Sequence, residues 1–259
     1  MIRVCSLFDG MSCAQLALQK AGIPITRYYA SEVDKYAIKV TQANFPETVQ
    51  LGDIRQVTAD QVGDIDLLVG GSPCQGFSFA GKQLNFNDPR SKLFFEYVRL
   101  LKELKPKYFL LENVRMAKQS QDVISEQLGV EPIAINSNLV SAQNRYRLYW
   151  TNIPFTVPED KGIVLADIIE DGMVDRDKSH CLDANYFKGG NLKSYFEKHR
   201  RQLVFNKASY RKLTPVECER LQTVPDNYTN HVSNTQRYKM LGNGMTVDII
   251  ASILGGISQ

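Results

Sequence analysis

The chain has 259 residues, 43% hydrophobic and 23% charged, with a formal net charge of +3, enough for one large α/β domain and a small appendage. Its five cysteines form no Cys-x-x-Cys pair and its three histidines lie far apart, which argues against a zinc site or disulfide framework and for a reducing cytoplasm. No segment approaches the roughly eighteen apolar residues of a membrane span, and residues 1–4 show no signal-peptide layout.

Taken in order, residues 2–8 read as a first strand, Asp9 to Cys13 as its turn and 14–21 as a helix closed by Gly22 and Pro24. A second strand, 27–31, ends in Glu32, and 33–44 is helical. A short strand, 48–51, ends in Gly52-Asp53. Ile65, Leu67, Leu68 and Val69 then form an apolar run that suits a buried parallel strand. It stops in Gly70-Gly71-Ser72-Pro73, which is turn chemistry. Residues 75–92 read as a long polar loop, a lid, and 91–104 as a helix with core spacing. A strand at 107–111 ends in Glu112-Asn113, followed by a helix at 123–128 and strands at 132–136 and 147–151. Strand and helix alternate, so the expected fold is a doubly wound, mostly parallel α/β sheet.

Composition shifts near Pro154. Residues 159–183 hold eight acids against three bases, and 188–212 hold eight bases against one acid. This reads as a small inserted domain with an acidic and a basic half. The expected division is 1–153, 154–210 and 211–259, the last part rejoining the first. Thr214, Pro215 and Glu217 have the form of a helix N-cap, first helical residue and capping-box acid. A final helix is expected over 245–254.

Open α/β sheets bind ligands outside the carboxyl ends of their strands. Asp9-Gly10, Glu32 and Asp53 follow three such ends, the pattern of a site for an adenosine-containing ligand. A glycine turn admits the ligand to the backbone, one acid holds ribose hydroxyls and another accepts from the adenine amino group. The first turn is not Gly-x-Gly-x-x-Gly, which argues against a dinucleotide; each acid alone also suits a helix cap or solvated turn. Cys74, just past the central strand, is either a small buried hydrophobe or a nucleophile, and the small residues before it leave little to bury it. Glu112 follows an apolar strand, where partial desolvation favours a protonated carboxyl able to donate a proton; a solvated strand end is the alternative. Alternation sends Gln143, Arg145 and Arg147 to one face, which is either functional or a solvated edge. Residues 188–212 carry seven net positive charges while the rest of the chain is net acidic, so a phosphate-rich partner would dock there.

Pro73-Cys74-Gln75, Glu112-Asn113-Val114 and Arg145-x-Arg147, with Phe8-Asp9-Gly10, Glu32, Asp53, Gly81-Lys82-Gln83, Arg211-x-Leu213-Thr214-Pro215 and Gly242-Asn243-Gly244, resemble the cytosine carbon-5 DNA methyltransferases over almost the whole chain. The resemblance implies a Rossmann-like methyltransferase that transfers a methyl group from S-adenosyl-L-methionine to carbon 5 of a flipped cytosine in double-stranded DNA. It implies Cys74 as nucleophile, Glu112 and Arg145 as holders of the cytosine, and Arg147 as a further catalytic residue. The implied cofactor pocket comprises Phe8, Asp9, Gly10, Met11, Ser12, Cys13, Glu32, Val33, Asp53, Ile54, Pro73, Leu93, Asn243, Gly244 and Thr246. The implied DNA contacts are Gln75, Ser78, Lys82, Arg90, Lys198, Arg200 and Arg201. No metal and no membrane are expected, and the chain is expected to act as a monomer in a bacterial or phage-infected cell. The first turn departs from the bacterial pattern, with Ser12-Cys13 where two more glycines are usual. A transfer-RNA cytosine methyltransferase of the same fold and a non-enzymatic DNA- or partner-binding relative are the alternative readings; an intact Cys74, Glu112 and Arg145 argue against the second.

Overall fold

Apolar strands alternating with amphipathic helices build a seven-stranded sheet in the computed structural model, which describes residues 1–72 and 89–258. In chain order the elements are β1 (Ile2–Leu7), α1 (Cys13–Lys20), β2 (Ile25–Ser31), α2 (Lys35–Asn44), β3 (Val49–Gln50), α3 (Ala59–Val62), β4 (Leu67–Gly70), α4 (Pro89–Leu104), β5 (Tyr108–Val114), α5 (Lys118–Leu128), β6 (Ile133–Asn136) and β7 (Tyr146–Thr151). The sheet order is β3-β2-β1-β4-β5-β7-β6. Strands β1 to β5 pair in parallel, as expected of strands joined by helical crossovers. Strand β7 runs antiparallel between β5 and β6, so the sheet is mixed at that edge. The order reverses between β1 and β4, and a ligand crevice opens beyond the strand ends at such a reversal.

Strand periodicity assigns each side chain to one of two cores. Val4, Leu67, Val69, Leu110 and Tyr149 face one cluster with α1 and Ile249, Ile250 and Ile253 near the end of the chain. Cys5, Leu7, Leu68, Phe109, Leu111 and Trp150 face the other, with Phe94, Tyr97 and Ile124. Past β7 come α6 (Leu165–Ile168), α7 (Leu192–Phe196), a hairpin of β8 (Leu203–Asn206) and β9 (Ser209–Lys212), then α8 (Pro215–Leu221), α9 (Asn234–Asn243) and α10 (Val247–Leu254). Leu165, Leu182, Tyr186 and Val204 from this region join the first cluster. The Lys178 ammonium also donates to the carbonyls of Asn138, Ser141 and Ile163 at 2.8, 3.1 and 2.6 Å, which ties the region to the sheet.

Helix α8 starts as its sequence requires: Thr214 Oγ1 accepts from Glu217 N, and Glu217 accepts from Thr214 N. Other boundaries move for local reasons. Helix α2 begins at Lys35 rather than 33 because Asp34 is its N-cap, accepting from Tyr36 N at 2.9 Å. Helix α5 begins at Lys118 rather than 123; its first turn has no apolar residue and carries instead a Lys118–Asp122 ion pair at 2.7 Å. Strand β5 runs through Glu112 to Val114, so Glu112 lies within the sheet rather than beyond it. The stretch Asn234–Ile257 is apolar enough by composition to cross a membrane, but its apolar window is 61% buried and Gly244 caps α9 before α10 begins. These are core helices, with α10 packed on α1.

Candidate active site

The turn after β1 is built from left-handed residues. Phe8, Gly10 and Ser12 have φ of 56°, 60° and 60°, and the bend presents Gly10 N to Glu32 Oε2 at 2.8 Å. Asp9 holds the turn from beneath, accepting from Tyr28 Oη at 2.7 Å and from Ser12 Oγ. Burial pushes the Asp9 carboxyl up to about 6, against the lowering effect of its hydroxyl donors. The folded protein therefore holds this proton to higher pH than the unfolded chain does. The stability Asp9 contributes is greatest below about pH 4 and falls as pH rises to about 6. Urea unfolding should show the margin of the wild type over Asp9→Asn shrinking across that interval. A constant margin would mean that Asp9 titrates alike in both states.

The crevice beyond the strand ends is a cavity of about 1080 Å³. From the first turn it is lined by Phe8, Asp9, Gly10 and Cys13; from the ends of β2 and β3 by Glu32, Val33, Asp53 and Ile54; and from α4 by Leu93. Asn243 and Gly244 fold back to line the same space. Glu32 Oε1 accepts from Val33 N and Asp34 N at 2.7 and 2.8 Å, so backbone donors hold this carboxylate in place. Asp53 is bound by the Arg55 side chain and accepts from Arg55 N, and the pair holds its carboxyl at about 2. Val33 is 71% exposed, an apolar surface without cover at the rim. Three residues expected in this pocket do not line it. Met11, Ser12 and Thr246 are 1%, 0% and 1% exposed. Ser12 braces Asp9, Met11 O accepts from Tyr228 Oη, and Thr246 bonds Ser137 and Gln222. Each supports the wall from behind.

At the other end of the cavity stand Glu112 and Arg147. Glu112 pairs with Tyr149 across the β5–β7 ladder and Arg147 with Val114. The two are thus diagonal neighbours on one face, within reach of long side chains. Arg147 Nε lies 2.9 Å from Glu112 Oε1, with the side chains 13% and 10% exposed. The approach is off the donor axis, so Glu112 Oε1 is buried without an aligned hydrogen-bond donor among the described residues. Gly71, at the exit of β4, lies against this carboxylate: a Cβ there would stand 3.3 Å from Glu112 Oε2. Asn113 Nδ2 donates to Ser72 Oγ at 3.0 Å and anchors the same exit.

Arg145 was expected to share the target base with Glu112; its Nε is buried without a partner among the described residues. Arg145 lines the cavity but spends its amino groups on the carbonyls of Leu182, Gly242 and Gly244. Burial, then the charge of Arg147, pushes its guanidinium below the ordinary value. Of the two arginines, Arg147 is the one beside Glu112. The sequence reading also missed the segment from Cys181 to Ala184, which forms a wall of the cavity. No motif marks it; only its packing does. A Cβ on Gly242 would lie 2.2 Å from the Asp183 carbonyl carbon, so glycine alone fits there.

A family model for C-5 cytosine-specific DNA methylase matches residues 2–151 and 142–259. The chain belongs to that family. It is 30% identical to the type II methyltransferase M.HhaI of Haemophilus parahaemolyticus, over 100% of this chain and 94% of that protein. It is 31% identical to the type II methyltransferase M1.ScrFI of Lactococcus lactis subsp. cremoris, over 97% of this chain and 76% of the relative. Among solved structures, the Entamoeba histolytica methyltransferase EhMeth shares the fold with a TM-score of 0.80 at 17% identity, covering 99% of this chain and 98% of that one. The protein is a DNA cytosine-5 methyltransferase.

In this methyltransferase Pro73, Cys74, Gln75, Ser78 and Lys82 lie outside the described residues, and Arg90 is described only as backbone of α4. Lys198 and Arg200 are exposed. Arg201 is not a free surface cation: its side chain is 11% exposed and its Nε lies 3.4 Å from Asp183. Arg211, also counted in the basic half, is held by Asp171 and Glu217. The acidic and basic halves of the insert therefore neutralise each other in part. Among the described residues no group of three or more His, Cys, Asp and Glu could hold a metal ion.

Proposed function

We propose that the methyl donor is S-adenosyl-L-methionine, held along the first three strand ends, and that a cytosine flipped from double-stranded DNA reacts at Cys74 beside Glu112. The observation that carries this is Glu112, a carboxyl group lining the cavity beside the Arg147 charge, with no aligned donor to its Oε1 among the described residues. The pyrimidine edge of a protonated or amino-bearing base supplies donors to this carboxyl group. Buried acceptors short of donors are unfavourable, which makes this carboxyl group a recognition point for the base.

The donor set at the other end fits an adenosine moiety. Glu32 has two oxygens held by three backbone N–H groups, which leaves acceptor capacity for ribose hydroxyls. Among the described residues the Asp53 carboxylate meets Arg55, which is solvent-exposed, and it can accept from an amino group once that weak surface pair opens. Val33 and Ile54 provide apolar walls. When bound, S-adenosyl-L-methionine supplies an electrophilic methyl group on a sulfonium.

The chain's own residues do the rest. Carbon 5 of cytosine is a poor nucleophile, so the Cys74 thiolate adds to carbon 6 and makes the ring electron-rich. Glu112 gives a proton to ring nitrogen 3, and Arg147 keeps the carboxyl group turned to the base. After carbon 5 is methylated, a base such as water removes its proton, Cys74 leaves carbon 6, and the nitrogen-3 proton returns to Glu112. Carbon 6 is out of reach in a stacked duplex, so the cytosine must leave the helix. Residues 1–153 and 211–259 form the catalytic and cofactor part in this reading. Residues 154–210 form the target-recognition region of a protein acting as a monomer in the cytoplasm of a bacterial or phage-infected cell.

Calorimetric titration of S-adenosyl-L-methionine tests the cofactor reading. Glu32→Ala removes a charge-assisted acceptor and should weaken binding about ten- to a hundredfold. Unchanged affinity would leave Glu32 as only the brace of the Gly10 turn. The DNA reading is tested by salt. Lys198 and Arg200 are the exposed cations of the basic turn, so Lys198→Ala/Arg200→Ala should flatten the log–log salt dependence of duplex binding by about 1.8. Arg201→Ala should add little because that side chain is already paired with Asp183. An unchanged slope in the double variant would make this a solvated face.

A further inference from the structure

Arg145 is 2% exposed and lies among neutral acceptors. Its Nη1 donates to Leu182 O at 3.0 Å and lies 3.3 Å from Cys181 Sγ. Its Nη2 donates to Gly244 O at 2.7 Å and Gly242 O at 3.2 Å. The two sets belong to separate walls of the cavity. Leu182 lies in the wall that arrives from the insert, and Gly242 and Gly244 in the wall that closes over the first strand. The missing side chain of Gly242 lets the walls touch at Asp183. Gln222 Nε2 donates to the carbonyls of Leu241 and Gly244 at 2.5 and 3.2 Å, and its Oε1 accepts from Gln143, whose own Oε1 accepts from Leu182 N at 3.3 Å, a neutral link beside the charged one. A buried guanidinium without a hydrogen-bonded carboxylate is expensive to keep. Its planar fork is what holds four acceptors at fixed angles, and a lysine cannot reproduce that.

We propose that Arg145 is a positioning residue that locks the insert's wall of the cavity to the Gly242–Gly244 wall, so that target DNA and cofactor bind more tightly together than apart. This rests on the proposed placement of the adenosyl group beside Glu32 and Gly244 and of DNA on the insert. DNA that fixes the segment from Cys181 to Ala184 fixes Leu182 O, and with it the guanidinium and Gly244 O. The cofactor then meets a wall already in place. The effect is reciprocal, as any coupling of two binding equilibria must be.

The test is calorimetry of S-adenosylhomocysteine, the demethylated cofactor, with and without a duplex carrying the sequence that bisulfite mapping shows this protein to methylate. For the wild type the duplex should tighten binding by at least about fivefold. Arg145→Lys should bind S-adenosylhomocysteine about tenfold more weakly alone, and the duplex should then tighten it by less than about twofold. Thr246→Val, which loses side-chain bonds to Ser137 and Gln222 but none to the insert's wall, should keep the tightening. Hydrogen exchange on the wild type gives a reading independent of variant folding: the duplex should slow exchange at 242–246, and S-adenosylhomocysteine should slow it at 181–184. Tightening that survives in Arg145→Lys, or a wild type with no tightening and no exchange change, overturns the proposal. A wild type that binds no S-adenosylhomocysteine at all overturns the cofactor placement instead.

Discussion

Cys74→Ala should lose methylation by at least about a thousandfold while keeping its fold and its affinity for S-adenosyl-L-methionine. Removing a nucleophile removes the covalent route entirely, and what binding and positioning leave behind is small by comparison. The residue follows Gly70-Gly71-Ser72-Pro73, a turn sequence and not an apolar run, so the substitution should cost no core. Two measurements check this: methyl transfer to duplex DNA by the purified variant, and incubation of the wild type with duplex containing 5-fluorocytosine. Fluorine on carbon 5 cannot depart as a proton does, so the wild type should remain attached to the DNA through Cys74. Turnover by Cys74→Ala, or a wild type that forms no adduct, would refute nucleophilic catalysis at this residue.

Arg147→Ala should destabilise the protein by about 3–5 kcal/mol, because it strands the Glu112 carboxylate in the sheet without its countercharge. Both side chains are largely buried, so solvent cannot replace the lost partner as it would for a surface pair worth about 0–1 kcal/mol. The double change Glu112→Gln/Arg147→Met removes both charges and should recover most of that stability without recovering methylation. Urea unfolding of the two variants separates the effects, with methyl transfer measured in parallel. A loss under about 1 kcal/mol in Arg147→Ala would show the pair to be solvent-screened. Methylation by the double variant would remove Glu112 from the chemistry.

Much of this was legible locally. The apolar run ending at Val69, the glycine turns and the acids after β1, β2 and β3 are signals carried by a few neighbouring residues. The helix opening at Thr214 is another, since its capping box closes within four residues. Helix α9 was not legible, because its buried face includes Arg237, whose apolar stem and paired head hide it from any hydrophobic period; it meets Glu219 at 3.0 Å. Nor was the direction of β7: an apolar strand reads alike in either direction, and the loop between β6 and β7 decides it.

The sequence by itself determined the parallel part of the sheet, the family motifs and the side-chain parity that turns Arg145 and Arg147 the same way. Only the tertiary structure decided which of the two meets Glu112. Arg147 does so because its ladder position is diagonal to Glu112 across β5 and β7. Arg145 lies two residues earlier and meets Gly244, 99 positions along the chain, and Leu182, 37 positions along. The same holds for Arg201, counted as a free cation from its neighbours but held by Asp183. Periodicity and turn chemistry act over a few bonds. A buried polar group instead takes whatever partner packing brings within 3 Å or so, because the interior offers it no water in exchange.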